Sequence, residues 1–174
     1  MDHMALTTCR ACGREVSPEA INCPHCGEEW PGRASWGGSG FEWKSPGTLL
    51  GWPLIHVAVG RDARGKLRVA KGVIAVGQFA VGLITVAQFG VGLLFGLGQF
   101  IFGLTAVAQF AGAPAFGVGQ FAAGYTAIGQ VVLAYYGLAQ TGHATHLWST
   151  RHRDPVAVEY FRSLWEAIKI YLPV

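Results

Sequence analysis

From Gly72 to Gly142 the chain carries no Asp, Glu, Lys or Arg, and its small and apolar residues recur with a period of five. Three segments, 77–97, 98–118 and 119–139, align without gaps at a period of about 21 residues. Cut into pentads, the first reads VGQFA, VGLIT, VAQFG, VGLLF and then a lone Gly96. The second pentad position is always Gly or Ala, as at Gly77, Gly82, Ala87, Gly92, Gly98 and Gly103. The first is usually Val, Leu or Ile. Five residues carry an α-helix about 140° past a full turn, so such a period makes no helical face. A strand that bends once per pentad suits it better, with the small residue where the chain turns or the interior is narrow. The pattern predicts an all-β fold, a short four-sided β-solenoid of about 21 residues per coil over residues 72–142. Three to four coils at ~4.8 Å each would stand only about 16 Å tall, short of the ~30 Å hydrocarbon core of a bilayer.

Gln78, Gln88, Gln99, Gln109, Gln120, Gln130 and Gln140 recur every ten or eleven residues, half of the 21-residue unit. On a four-sided coil they form two ladders on opposite sides, 78-99-120 and 88-109-130. Stacked amides satisfy one another's donors and acceptors. The ladders either hold register or form an interface seam. The alternative reading of the same stretch is a polytopic helical membrane protein with two or three spans, since it is long and uncharged enough. Turn signals count against spans: only Gly112-Ala113-Pro114 reads as a break, and it falls inside a repeat.

The flanks are charged normally and carry different patterns. Residues 45–71 read as a β-hairpin entry cap. Leu54–Val59 and Lys66–Ala70 are the strands, and the polar turn Gly60-Arg61-Asp62-Ala63-Arg64-Gly65 joins them. The cap would cover the first edge of the repeat's sheet. His56 falls in the first strand, where a hydrogen-bonded structural histidine is the simpler reading than a ligand. Residues 143–174 read as a loop and a capping helix. Asp154-Pro155 starts the helix as N-cap and first residue. Phe161, Leu164, Trp165, Ile168 and Leu172 fall on one face. That face either caps the last coil or lies in a membrane interface, with Trp165 and Tyr171 as anchors. His143, His146 and His152 lack acidic or thiol partners at metal-site spacing.

All four cysteines lie near the N-terminus, in Cys9-Arg-Ala-Cys12 and Cys23-Pro-His-Cys26. Two facing C-x-x-C knuckles supply four thiolates, a set that suits a structural tetrahedral Zn²⁺ and leaves no open catalytic position. Residues 1–30 are therefore expected to form a zinc ribbon, with folding free energy supplied by the metal. His25, inside the second knuckle, reads as a filler between ligands. Residues 31–44 are rich in Gly and Ser and predict a flexible linker. No cysteine remains for a disulfide elsewhere, which favours a reducing compartment or a metal.

Leu50-Gly51-Trp52-Pro53-Leu54-Ile55-His56, then Val69-Ala70-Lys71-Gly72-Val73-Ile74-Ala75-Val76-Gly77, resembles the entry motif of a bacterial family that pairs an N-terminal zinc ribbon with Gly-rich "A-I-G" repeats. The resemblance covers about residues 45–140. It implies an architecture and no activity. The chain departs from the family's pattern in placing Gln-Phe where glycine or aspartate often follows the "A-I-G".

The formal charge of +3 is too small to indicate nucleic acid. The repeat offers no acid, base or nucleophile, so no enzyme is expected. A solenoid without exterior charge exposes an apolar surface that must meet lipid or other copies of the chain. The expected function is a non-enzymatic structural or assembly protein that self-associates, inserts in a membrane, or both. The tethered ribbon would contact a further protein from the cytoplasmic side.

Overall fold

The computed structural model describes residues 6–32, 38–62 and 64–171, with the side chain of Tyr171 outside that set. The chain divides into two compact units, Met1–Ser39 with Arg61–Lys66, and Gly40–Gly60 with Leu67–Val174. Part of the expected linker, 33–37, lies outside the described residues, as do Leu172 and the side chain of Tyr171. Ser39–Lys44, assigned above to the same linker, is instead a strand.

The first unit holds two short strands, β1 (Thr7–Thr8) and β2 (Glu15–Val16). They pair antiparallel with Thr7 opposite Val16 and Thr8 opposite Glu15. Its small core is Cys9, Cys23 and Val16.

The second unit is mostly strand. It contains β3 (Ser39–Lys44), β4 (Thr48–Leu49), β5 (Trp52–Pro53), β6 (Ile55–Arg61), β7 (Val69–Ser149) and the helix α1 (Pro155–Tyr171). β4 and β5 form a tight antiparallel pair, closed by Leu50 and Gly51 at positive φ. β3, β6 and β7 share a sheet in that order.

β7 runs unbroken for 81 residues. Straight, it would reach about 270 Å at ~3.3 Å per residue, so it must return on itself. The interval of return is visible in the rings. Phe79 stacks on Phe89 at 5.5 Å, Phe89 on Phe100 at 5.1 Å, Phe100 on Phe110 at 5.8 Å and Phe110 on Phe121 at 6.4 Å. The backbone gives the same interval. A Cβ on Gly82 would sit 2.6 Å from the carbonyl oxygen of Gly72, one on Gly98 1.6 Å from that of Ala87, and one on Gly119 2.0 Å from that of Ala108.

Residues ten or eleven apart therefore lie side by side, which corrects the expected coil of about 21 residues. The 21-residue repeat spans two returns. The glutamines accordingly fall in one column, each beside a Phe or its successor, and not in two opposite ladders. No glutamine side chain makes a hydrogen bond among the described residues; Gln140 takes part only through its backbone carbonyl, which accepts from Thr150 at 3.4 Å. The expected amide ladder is absent there. The interior explains the short interval. It is lined by Ala70, Ala75 and Ala80 in one cluster, and by Ala106, Ala111, Ala122 and Ala127 with Ile101 and Val132 in another. Methyl groups cannot fill a wide four-sided lumen at protein packing density, in keeping with the short interval between neighbouring stretches.

The entry is also different from expectation. The turn is present: Asp62 N–H donates to the Lys66 carbonyl at 2.8 Å, and Arg68 N–H to that of Gly60 at 2.9 Å. Beyond it, β6 pairs with β7 in parallel, with Ile55 opposite Ile74 and Ala58 opposite Gly77. A simple hairpin would be antiparallel. β6 instead runs in the same sense as the stretch of β7 it covers.

At the other end Trp148 bridges Arg153, and α1 begins. Asp154 Oδ1 accepts from Val156 N–H at 2.8 Å, the expected N-cap. Only the first half of α1 is packed. Ala157 and Phe161 are buried, and Tyr160 donates to or accepts from buried Thr126 at 2.7 Å. Leu164 is half-buried, Ile168 is exposed and Trp165 is 57% exposed. The first half of the apolar face is thus packed and its second half lies open, which leaves both expected roles, capping and a membrane interface, in play. A groove separates that half from Phe116, Ile128 and Leu138 of β7.

Candidate metal centre and the charge-free wall

The two cysteine knuckles are built alike. Gly13 N–H donates to the Cys9 carbonyl at 2.8 Å and Gly27 N–H to that of Cys23 at 2.9 Å. Both glycines sit at positive φ, 72° and 77°, a conformation that costs a side-chain-bearing residue about 1–2 kcal/mol. Cys9 N–H reaches the Arg14 carbonyl and Cys23 N–H that of Glu28, at 2.7 and 2.8 Å. Each loop so turns its two thiols inward.

All four sulfurs lie within 4.8 Å of one another. Cys9 and Cys26 are 3.7 Å apart, and Cys12 and Cys23 are 3.8 Å apart. A tetrahedral ion with ~2.3 Å bonds to sulfur would require sulfur–sulfur distances of about 3.8 Å. The four cysteines can therefore hold a metal ion such as zinc. Their electrostatics agree with competition for one charge. The backbone N–H of Cys12, ahead of the other influences, brings the Cys9 thiol down to about 7. At Cys26 the Glu28 N–H pulls downward, but burial and the neighbouring thiols outweigh it and push the group up to about 12. A cation is what allows all four to ionise together. Arg10 pairs with Glu28 across the two knuckles. His25 points to Arg14, 3.2 Å away, and is not in the ligand group.

His56 is buried, and its Nδ1 accepts from Lys71 N–H at 2.7 Å. Its Nε2 lies 3.3 Å from Glu42 and makes no hydrogen bond among the described residues. The expected hydrogen-bonded histidine is thus met at Nδ1 and not at Nε2. Glu42 is shared with Lys44 and Arg68. The Lys44 hydrogen bond, then Arg68, hold its carboxyl below the usual range against an upward push from burial.

His143, His146 and His152 are not gathered into a metal site among the described residues. His146 instead bonds Asp154 at 3.0 Å, tying the end of β7 to the start of α1. The same corner holds a ring cluster that sequence reasoning missed. Tyr136 stacks on Tyr160 at 3.9 Å and on His146 at 5.4 Å, and Tyr125 on Tyr135 at 5.2 Å. The signal was available in the ten-residue spacing of Tyr125 and Tyr135.

Outside the metal group, the dominant surface is the wall of β7. Phe102 is 55% exposed and Leu133 62%, and Leu93, Leu94, Phe95, Leu104, Phe121 and Tyr125 are exposed with them. No charged side chain interrupts them from Gly72 to Gly142. An apolar groove of about 360 Å³ runs between Phe116, Ile128 and Leu138 of β7 and Leu164, Trp165 and Ile168 of α1. No helix of the described residues is long and apolar enough to cross a membrane; the stretch read alternatively as helical spans is strand, which removes that reading. No family model, curated protein or solved structure matches the chain.

Proposed function

We propose that this chain is a non-enzymatic membrane protein whose β7 winds as a two-sided β-solenoid through the bilayer, with its axis along the membrane normal. One observation carries the reading: residues ten or eleven apart lie side by side along the uncharged, apolar-walled stretch, a spacing that as a winding would give it about the height of a bilayer's hydrocarbon. With a return every ten or eleven residues, Gly72 to Gly142 makes about seven turns, or about 32 Å at ~4.8 Å per turn. The hydrocarbon core is ~30 Å thick. The 21-residue coil would have reached only half of that.

The ends support the same placement. Arg64, Lys66, Arg68 and Lys71 precede the uncharged stretch, and Arg151 and Arg153 follow it. Lipid demands that backbone groups pair within the protein. A coil pairs each turn with the next and leaves open edges only at its two ends. β6 covers the first, and the Trp148–Arg153 bridge with α1 lies at the last. The open half of α1, with exposed Trp165 and Ile168, suits the interfacial layer.

In this reading the cysteine module is a structural Zn²⁺ ribbon on the cytoplasmic side, where thiols stay reduced. It is free to contact a further protein. The resemblance to bacterial proteins that join a ribbon to Gly-rich repeats is in keeping with that arrangement. Fractionation tests the membrane assignment. The expressed chain should stay with membranes through an alkaline carbonate wash and leave them only in detergent. Recovery as a monomer in detergent-free buffer would refute it.

A further inference from the structure

We propose that the glutamine column is the face through which a second copy of this chain docks within the bilayer. The inference rests on the membrane reading above. Gln78, Gln88, Gln99, Gln109 and Gln120 each precede a ring of the Phe79–Phe121 stack by one residue. The stacking fixes these five in one line up the wall, and Gln130 and Gln140 continue it at the same spacing. All but half-buried Gln78 are exposed, and none has a side-chain hydrogen-bond partner among the described residues. Five residues away, half a return, the wall carries Leu83, Leu93 and Leu104 instead. The amides of the uncharged stretch are thus concentrated on one side, while further along the Leu83–Leu104 series the half-return positions are Tyr125 and Tyr135.

In hydrocarbon an unpaired amide is costly, because lipid tails offer neither donor nor acceptor. A glutamine amide offers both, so its natural complement is another glutamine. Two copies inserted in the same sense, related by a two-fold axis along the membrane normal, bring each glutamine opposite its own counterpart at the same depth. That arrangement pairs the amides at every level of the bilayer. Lipid cannot do so at any level, and a headgroup can do so only at the rims. Amide pairs between transmembrane segments are a known source of association in membranes. The Phe column beside the glutamines adds apolar area to the same contact.

The test uses the full-length, zinc-loaded chain in phosphatidylcholine vesicles. Gln99→Cys should form an intermolecular disulfide on oxidation, whereas Leu104→Cys, half a return away, should give no more than the unsubstituted chain. The combined Gln88→Leu, Gln99→Leu and Gln109→Leu variant should weaken self-association by about tenfold or more, measured by energy transfer as protein is diluted into lipid. The corresponding Asn variant, which keeps the amides, should associate more tightly than the Leu variant. Equal cross-linking at 99 and 104, no cross-linking at 99, or unchanged association of the Leu variant would overturn the proposal. If the unsubstituted chain washes off the vesicles in carbonate, the membrane reading falls and takes this proposal with it. If it stays on but does not cross-link at 99, only the docking face is wrong.

Discussion

Gly98 and Gly117 are both repeat glycines, yet the structure gives them opposite tolerances. A Cβ at Gly98 would lie 1.6 Å from the Ala87 carbonyl oxygen and 3.1 Å from Ile101 Cδ1. Comfortable contact needs ~3.5 Å, so Gly98→Ala must push two successive turns apart by about 2 Å. The obstacle is backbone, which cannot swing aside as a side-chain tip can. Overpacking of this kind costs about 1–3 kcal/mol and occasionally more; with a carbonyl as the obstacle, ~3 kcal/mol or more is expected. At Gly117 the nearest atoms are Ala113 Cβ at 3.4 Å and Ala111 Cβ at 3.7 Å, which is ordinary contact. Neither glycine is at positive φ, so Gly117→Ala carries no backbone strain. It should be neutral, or stabilise by about 0.5 kcal/mol through the unfolded chain. Denaturation in mild detergent, followed by far-ultraviolet circular dichroism, reads both. Equal midpoints for the two variants would refute the close stacking of turns ten or eleven residues apart.

Two further outcomes concern the flanks. Stripping metal from the four cysteines with a strong chelator should unfold the ribbon and leave the β signal of β7 intact, since the two lie in separate compact units. Proton spectra of the ribbon amides before and after chelation read this, and unchanged dispersion would count against a structural ion. Glu42 should make the entry of β7 acid-sensitive. Its carboxyl is held below its ordinary value in the folded chain, chiefly by Lys44 and then Arg68. Its contribution is therefore present above the unfolded value of ~4.3 and is lost as pH falls through the depressed folded one. Glu42→Gln should cost up to about 1 kcal/mol at neutral pH, the scale of partly exposed pairs. That difference should vanish in acid; an acid-stability curve parallel to that of the unsubstituted chain would refute the assignment.

Local chemistry made several elements legible from sequence. Cys9, Cys12, Cys23 and Cys26 announce their site through spacing, because thiols three positions apart on a tight turn can face one centre. Asp154-Pro155 marks the start of α1 through the geometry of a helix N-terminus. The pentads of β7 favour strand over helix by periodicity, and the structure has strand there. The sequence also contained the interval of ten or eleven in its Gln-Phe pairs. Periodicity states that positions are equivalent, however, and not how many of them complete one return.

Tertiary structure decided that number, because it depends on how closely opposing strands approach across the interior. Alanine and glycine inside let residues ten or eleven apart lie side by side. Three further features are displayed by no single residue. The glutamines fall in one column, β6 enters parallel to the strand it covers, and α1 lies only half packed. The uncharged stretch between Lys71 and His143 was plain from the sequence. Which of its residues lie side by side was not, because that depends on how closely strands pack across the alanine core.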